Sequence, residues 1–189
     1  EQKIWQLCLV AVFVLLAGCG KTPTTAVSIP ALVKDLNGAD REARREAARA
    51  LSKMGPEAKK AVPALVSVLE DQDGKTRYYA VKSLSKIGTD SNAVPGLSKL
   101  LADNDPEIRY YSVKTLSKIG PSASAVVPAL TERLKDSNPR VRCYAAKALG
   151  KIGPDARTAV AALKSATQDS DKDTRQAATE AIQRIEGRA

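Results

Sequence analysis

The sequence predicts an all-α fold, a right-handed α-solenoid of five two-helix repeats of 32–33 residues, and three recurring marks predict it. Pro30, Pro63, Pro95 and Pro128 are separated by 33, 32 and 33 residues, with Ala161 at the fifth place. Arg44, Arg77, Arg109, Arg142 and Arg175 keep the same register, and so do Gly55, Gly88, Gly120 and Gly153. Two apolar columns run with them: Leu32, Leu65, Leu97, Leu130 and Leu163, then Leu51, Leu84, Leu116, Leu149 and Ile182. An isolated pair of short helices buries too little apolar surface, so units of this kind must stack on one another. The repeat domain covers residues 26–187, in units of about 26–55, 56–88, 89–120, 121–153 and 154–187.

Ahead of the repeats, Lys3 precedes an unbroken apolar run from Leu7 to Ala17, followed by Gly18, Cys19 and Gly20. A run of eleven residues rises only about 16 Å as a helix, short of the roughly 30 Å of a hydrocarbon core. It has the length of a signal-peptide core. Leu16, Ala17, Gly18 and Cys19 resemble the lipobox of bacterial lipoproteins. That resemblance implies a signal peptide over residues 1–18, a lipid on Cys19, and a chain anchored through it to the membrane on the periplasmic side of the bacterial cell envelope. An ordinary secretory signal, or a buried N-terminal helix with an incidental cysteine, are the competing readings. Gly20 stands where an aspartate resembles an inner-membrane retention signal, which favours the outer membrane. Residues 19–28 lack apolar periodicity and read as a lipidated cysteine and tether. Cys8 lies in the apolar run and Cys19 carries the lipid, so Cys143 has no partner for an intramolecular disulfide.

Each unit reads as two helices. The first carries a core such as Val62-Pro63-Ala64-Leu65, with apolar groups at helical spacing, and ends near Asp71. A polar turn such as Asp103-Asn104-Asp105-Pro106 follows, in which Asp105 caps the next helix and Pro106 fits its first turn. The second helix runs, for example, from Glu107 to Ile119 and stops at Gly120, where a residue without Cβ suits a left-handed cap. The last unit differs. Thr167 replaces the apolar column of Leu36, Leu69, Leu101 and Leu134, and Glu180, Gln183 and Arg184 make its second helix polar, as a solvent-facing end requires.

The spacing alone also admits ankyrin or tetratricopeptide units, but neither Thr-Pro-Leu-His nor a Trp…Leu-Gly…Tyr pattern is present. The Val-Pro-Ala-Leu, Asp, Val-Arg, Ala-Leu and Ile-Gly elements of the stretch from Ala125 to Gly153 resemble short HEAT-like repeats of the phycobilisome-lyase type. The resemblance implies that a loop aspartate and a second-helix arginine join neighbouring repeats. Here those places fall on Asp71, Asp103, Asp136 and Asp169 and on Arg44, Arg77, Arg109, Arg142 and Arg175, while Gly38 occupies the aspartate place of the first unit.

Composition narrows the function. The chain has no histidine, which removes Ser-His-Asp and Cys-His nucleophile systems, His-containing zinc sites and the paired His-Glu di-iron site of related HEAT-repeat hydroxylases. No metal, no cofactor and no catalytic residue is expected. The net charge is +9, which favours an anionic partner. On a helical wheel, Arg49, Lys82, Lys114 and Lys147 form one column of the second helices, and Lys53, Lys86, Lys118, Lys151 and Arg184 a second. Tyr78, Tyr110 and Cys143, then Tyr79, Tyr111 and Tyr144, lie between them, so all five tyrosines share this face, opposite the apolar columns. Lysines supply attraction and phenols supply stacking and hydrogen bonds, so the face is a candidate surface for a protein, acidic in character, or for another anionic partner of the envelope such as lipid head groups or acidic glycans. Nucleic acid would suit it too, but an export signal argues against that. The plainer reading is that the lysines solubilise the face while the tyrosines pack between adjacent helices. Two functions follow: a non-enzymatic, lipid-anchored interaction scaffold of the envelope, or, by the repeat resemblance, a phycobilin-lyase-like or maturation-chaperone protein.

Overall fold

A computed structural model describes residues 28–187. The signal peptide, the lipobox and Cys19 lie outside the described residues. Ten α-helices follow in five antiparallel pairs, with no strand among the described residues. They are α1 (Ile29–Leu36) and α2 (Arg41–Met54), α3 (Val62–Ser67) and α4 (Gly74–Ile87), and α5 (Val94–Leu100) and α6 (Pro106–Ile119). The last two pairs are α7 (Val127–Arg133) with α8 (Pro139–Ile152), and α9 (Val160–Ala166) with α10 (Lys172–Ile185). Each even-numbered helix packs on the next, so the second helices form one continuous layer and the short first helices another.

The helix starts follow from their residues. Asp40, Asp73, Asp105, Asn138 and Asp171 each sit in extended backbone, and their side-chain oxygens accept the N–H of a residue two or three places on. The repeating prolines occupy the first turn of α1, α3, α5 and α7, where a missing N–H costs nothing. The first apolar column is buried throughout, and Leu51, Leu84, Leu116 and Leu149 are fully buried. Ile182 is only partly covered, since none of the described helices packs over its outer side.

Two local features depart from expectation. At Gly120 the backbone has φ of 70° and ψ of −133°, so it leaves the helix through a positive-φ conformation outside the left-handed helical region. This region is essentially reserved for glycine. The chain beyond it forms 3₁₀ turns, at Gly55–Ala61, Gly120–Val126 and Gly153–Ala159, the last two interrupted by non-helical backbone at Ala123 and Ala156. Ala58 with Ala61, Ala123 with Val126, and Ala156 with Ala159 are buried in these turns. Between the second and third units one residue fewer separates glycine from proline, and only Ser91–Ala93 forms a 3₁₀ turn. Thr89 stands there in the place of the usual proline, with its hydroxyl oxygen buried and unpartnered.

Neighbouring units are also joined by charge. The Nε atoms of Arg44, Arg77, Arg109 and Arg142 donate to Asp71, Asp103, Asp136 and Asp169 at 2.6, 2.9, 2.7 and 2.7 Å. Each arginine reaches forward to the aspartate of the next unit, and it also donates to carbonyls of its own loop, such as Arg109 to Asp103 O at 2.9 Å. Each aspartate in turn accepts the N–H of the following cap residue, as Asp136 does from Asn138 at 2.9 Å. The direction of pairing explains Gly38. It belongs to the first described unit, and among the described residues no arginine precedes it, so the missing carboxylate breaks no rung among them. Among the described residues Arg175 of the fifth unit donates to its own loop carbonyls, Asp169 O and Ser170 O, and to no aspartate of a further unit.

Candidate protein-interaction face

The second-helix face is built by α4, α6 and α8, whose neighbouring turns bring the tyrosines into one aromatic chain. Tyr78 meets Tyr79 at 5.1 Å between ring centroids and Tyr111 at 5.9 Å, both edge-on. Tyr110 meets Tyr111 at 4.9 Å and Tyr144 at 5.3 Å. The wheel placed these rings opposite the core, and here the structure corrects it. Tyr110 is buried, at 6% exposure, and Tyr78, Tyr79, Tyr111 and Tyr144 are half-buried. A wheel gives directions for one helix alone, and the adjacent second helix covers what it leaves open.

The lysines of the first column stand on these rings. Lys82 Nζ lies 5.0 Å from the Tyr78 centroid and 5.9 Å from that of Tyr111. Lys114 Nζ lies within 5.5–5.9 Å of Tyr110, Tyr111 and Tyr144, and Lys147 Nζ lies 5.0 Å from Tyr144. An ammonium over a ring face is held by the ring quadrupole. The Tyr78 hydroxyl also accepts a hydrogen bond from Lys82 at 3.0 Å, which raises the lysine above its usual value and keeps it charged. Among the described residues, Lys82, Lys114 and Lys147 form no ion pair with a carboxylate.

Two lysines of the second column, both exposed, reach back to the preceding helix. Lys86 donates to Ser52 O at 2.7 Å, and Lys118 donates to Ser85 O, each near the C-terminal end of the preceding second helix. Those carbonyls lie where a helix leaves acceptors unpaired and carries partial negative charge. Lys151 is exposed at the corresponding place on α8.

Sequence reasoning missed Arg140. Its guanidinium lies 3.7 Å from the centroid of Tyr110 and pairs with Glu107 of the preceding unit at 2.7 Å. Burial pushes the Tyr110 phenol up, but the Arg140 and Lys114 cations beside it outweigh that and leave the group below its usual value. A signal for this contact exists in the sequence, since Glu42, Lys75, Glu107, Arg140 and Asp173 occupy one column and alternate in sign. Cys143, in the same register as Tyr110, is a free, buried thiol that burial pushes above its ordinary value. It is therefore a poor nucleophile. No cluster of three or more metal-ligating side chains occurs among the described residues, and no helix among them is long and apolar enough to cross a membrane.

The family follows from matches that span nearly the whole array: the sequence pattern of HEAT repeats fits residues 29–104 and 94–183. The chain belongs to the HEAT-repeat family. Its right-handed solenoid is similar to an engineered protein that shares 27% sequence identity, with a TM-score of 0.72 over 85% of this chain and 80% of that one. A designed armadillo repeat protein in complex with the peptide (KR)4 gives a TM-score of 0.72 at 19% identity, over 83% of this chain and 81% of that one. The CpcE and CpcF complex of phycocyanin lyase from Nostoc sp. PCC7120 gives 0.68 at 23% identity, over 89% of this chain and 68% of that one. The last two likenesses are of fold. Comparison with curated proteins by sequence finds no match. A repeat solenoid of this kind is suited to protein binding, because it offers one long face of rigidly spaced helices.

Proposed function

We propose that this HEAT-repeat chain is a non-enzymatic interaction scaffold of the bacterial cell envelope, held to the membrane by lipid on Cys19 and docking a protein partner on its second-helix face. The observation that carries the reading is the row of Lys82, Lys114 and Lys147. Three ammonium groups stand on aromatic rings, and none of them forms an ion pair with a carboxylate among the described residues. Fixing a long side chain before binding removes part of the entropy that a complex otherwise costs.

The test is a photo-crosslinker placed at Tyr111 in living cells, with a second at Lys99 on the first-helix side as control. The scaffold reading expects discrete adducts from Tyr111 that vanish when Lys82, Lys114 and Lys147 are all changed to Glu, and release of the protein from membranes by Cys19→Ser. Adducts indifferent to the charge reversal, or a membrane pool indifferent to Cys19→Ser, overturn the corresponding half of it. A second reading, a phycobilin-lyase-like maturation role, is favoured by the fold shared with the phycocyanin lyase complex. A shifted absorption spectrum on incubation with bilin would support that role instead.

A further inference from the structure

The lysine row has ends, and they define what it can hold. On the N-terminal side the column continues as Arg49, which is paired with Glu46 at 3.4 Å, and Arg45 of the same helix is paired with Asp73 at 2.9 Å. On the C-terminal side it continues as Glu180, which accepts a hydrogen bond from Gln176 at 2.9 Å. Along this column the basic groups without an ion pair are three successive rungs, Lys82, Lys114 and Lys147.

The rings also fix the spacing of the rungs. Lys82 and Lys114 each lie 5.9 Å from the Tyr111 centroid, and Lys114 and Lys147 lie 5.9 and 5.0 Å from that of Tyr144. Successive ammonium groups sharing a ring are therefore within about 12 Å, in keeping with the roughly 8–10 Å between packed helices. An extended strand places same-side residues about 7 Å apart, which is too short a step. A polyproline II chain rises about 3.1 Å per residue with three residues per turn, so every third side chain returns to the same side after about 9 Å.

From this match we propose that the face binds an acidic peptide segment in the polyproline II conformation, with one carboxylate at every third position, each carboxylate meeting one of Lys82, Lys114 and Lys147. The proposal rests on the scaffold reading and specifies its partner. Seven residues span the three rungs. Nucleic acid fits less well, since the lysines lie over ring faces that stacked bases would need. Carboxylates, by contrast, need only the ammonium groups.

The experiment titrates the full chain, purified in non-ionic detergent, with the peptide (Glu-Pro-Pro)4 and with an isomer of the same composition whose glutamates are spaced alternately two and four residues apart. The expected result is binding of (Glu-Pro-Pro)4 at least about fivefold tighter than its isomer. That binding should weaken at least about tenfold between 50 and 500 mM NaCl. Lys114→Gln should reduce it severalfold, and so should Lys147→Gln, which alters an exposed side chain and leaves the aromatic chain intact. Equal binding of the two isomers, no binding of either, or competition only by phosphatidylglycerol vesicles or polyphosphate overturns the proposal. Crosslinks from Tyr111 that persist in cells alongside such a failure leave the scaffold reading standing, whereas loss of those crosslinks removes both.

Discussion

At Gly150 a single missing Cβ decides how closely two units approach. The residue lies inside α8, where alanine would ordinarily be better by about 1 kcal/mol. A Cβ built there would stand 2.8 Å from Ala181 Cα and 3.0 Å from Ala181 Cβ of α10, and the first of these is backbone that cannot swing aside. The first three units carry Ser52, Ser85 and Ser117 in this column and the fifth carries Gln183, so glycine is a local choice of the last interface. Gly150→Ala is therefore expected to destabilise the chain by about 1–3 kcal/mol, the range for overpacking, in spite of its better helix propensity. A thermal melt with a raised midpoint would contradict this. Thr89 is the opposite case, a side chain present with nothing to do: its buried hydroxyl lies where the shortened link lacks the alanine that fills the other joints.

Between elements, the arginine–aspartate rungs couple each second helix to the loop of the next unit. Asp136 illustrates their balance. Burial would push its carboxyl up, but the Arg109 guanidinium and the Asn138 N–H outweigh that and hold it below the usual carboxylate range. Asp169 is lowered chiefly by Arg142, and Asp73, outside the main ladder, chiefly by Arg45. A carboxyl depressed in the folded state stabilises fully above its unfolded value of about 3.9, and that stability is lost as the pH falls through the folded value. Denaturant unfolding should thus show stability level near neutrality and falling below about pH 4. Asp136→Asn should cost about 2 kcal/mol at pH 7 and flatten part of the acid slope. An acid slope identical to that of the parent would show that the rung contributes none of it.

For the whole molecule, the consequence of stacking is that each unit is the lid of its neighbour. Ala145, Ala148, Leu149 and Ile152 of α8 are all at most 2% exposed, and α10 is the helix packed on α8 from the C-terminal side. The final unit turns Thr167, Gln183 and Arg184 outward instead. Deleting residues 154–187 should expose the apolar flank of α8 and drive self-association, visible as early elution in size-exclusion chromatography. A monomer with an unchanged melting profile would mean that the units fold independently.

The repeat pattern made the architecture legible. Period, caps, proline positions, both leucine columns and the partners of the arginine ladder are set by residues acting locally or by identical contacts repeated along one axis, so the sequence carries them openly. The 3₁₀ joints were also encoded, in small apolar residues three apart such as Ala58 and Ala61, but their brevity gave no helical period to notice. What only the tertiary structure decided is what the second-helix face presents. The sequence placed the tyrosines and lysines on it, yet whether a ring faces solvent or its neighbour depends on the distance between adjacent helices, which no single-helix wheel contains. That distance turned Tyr110 inward, tied Lys86 and Lys118 to the preceding helix, and left Lys82, Lys114 and Lys147 charged, held and unpaired.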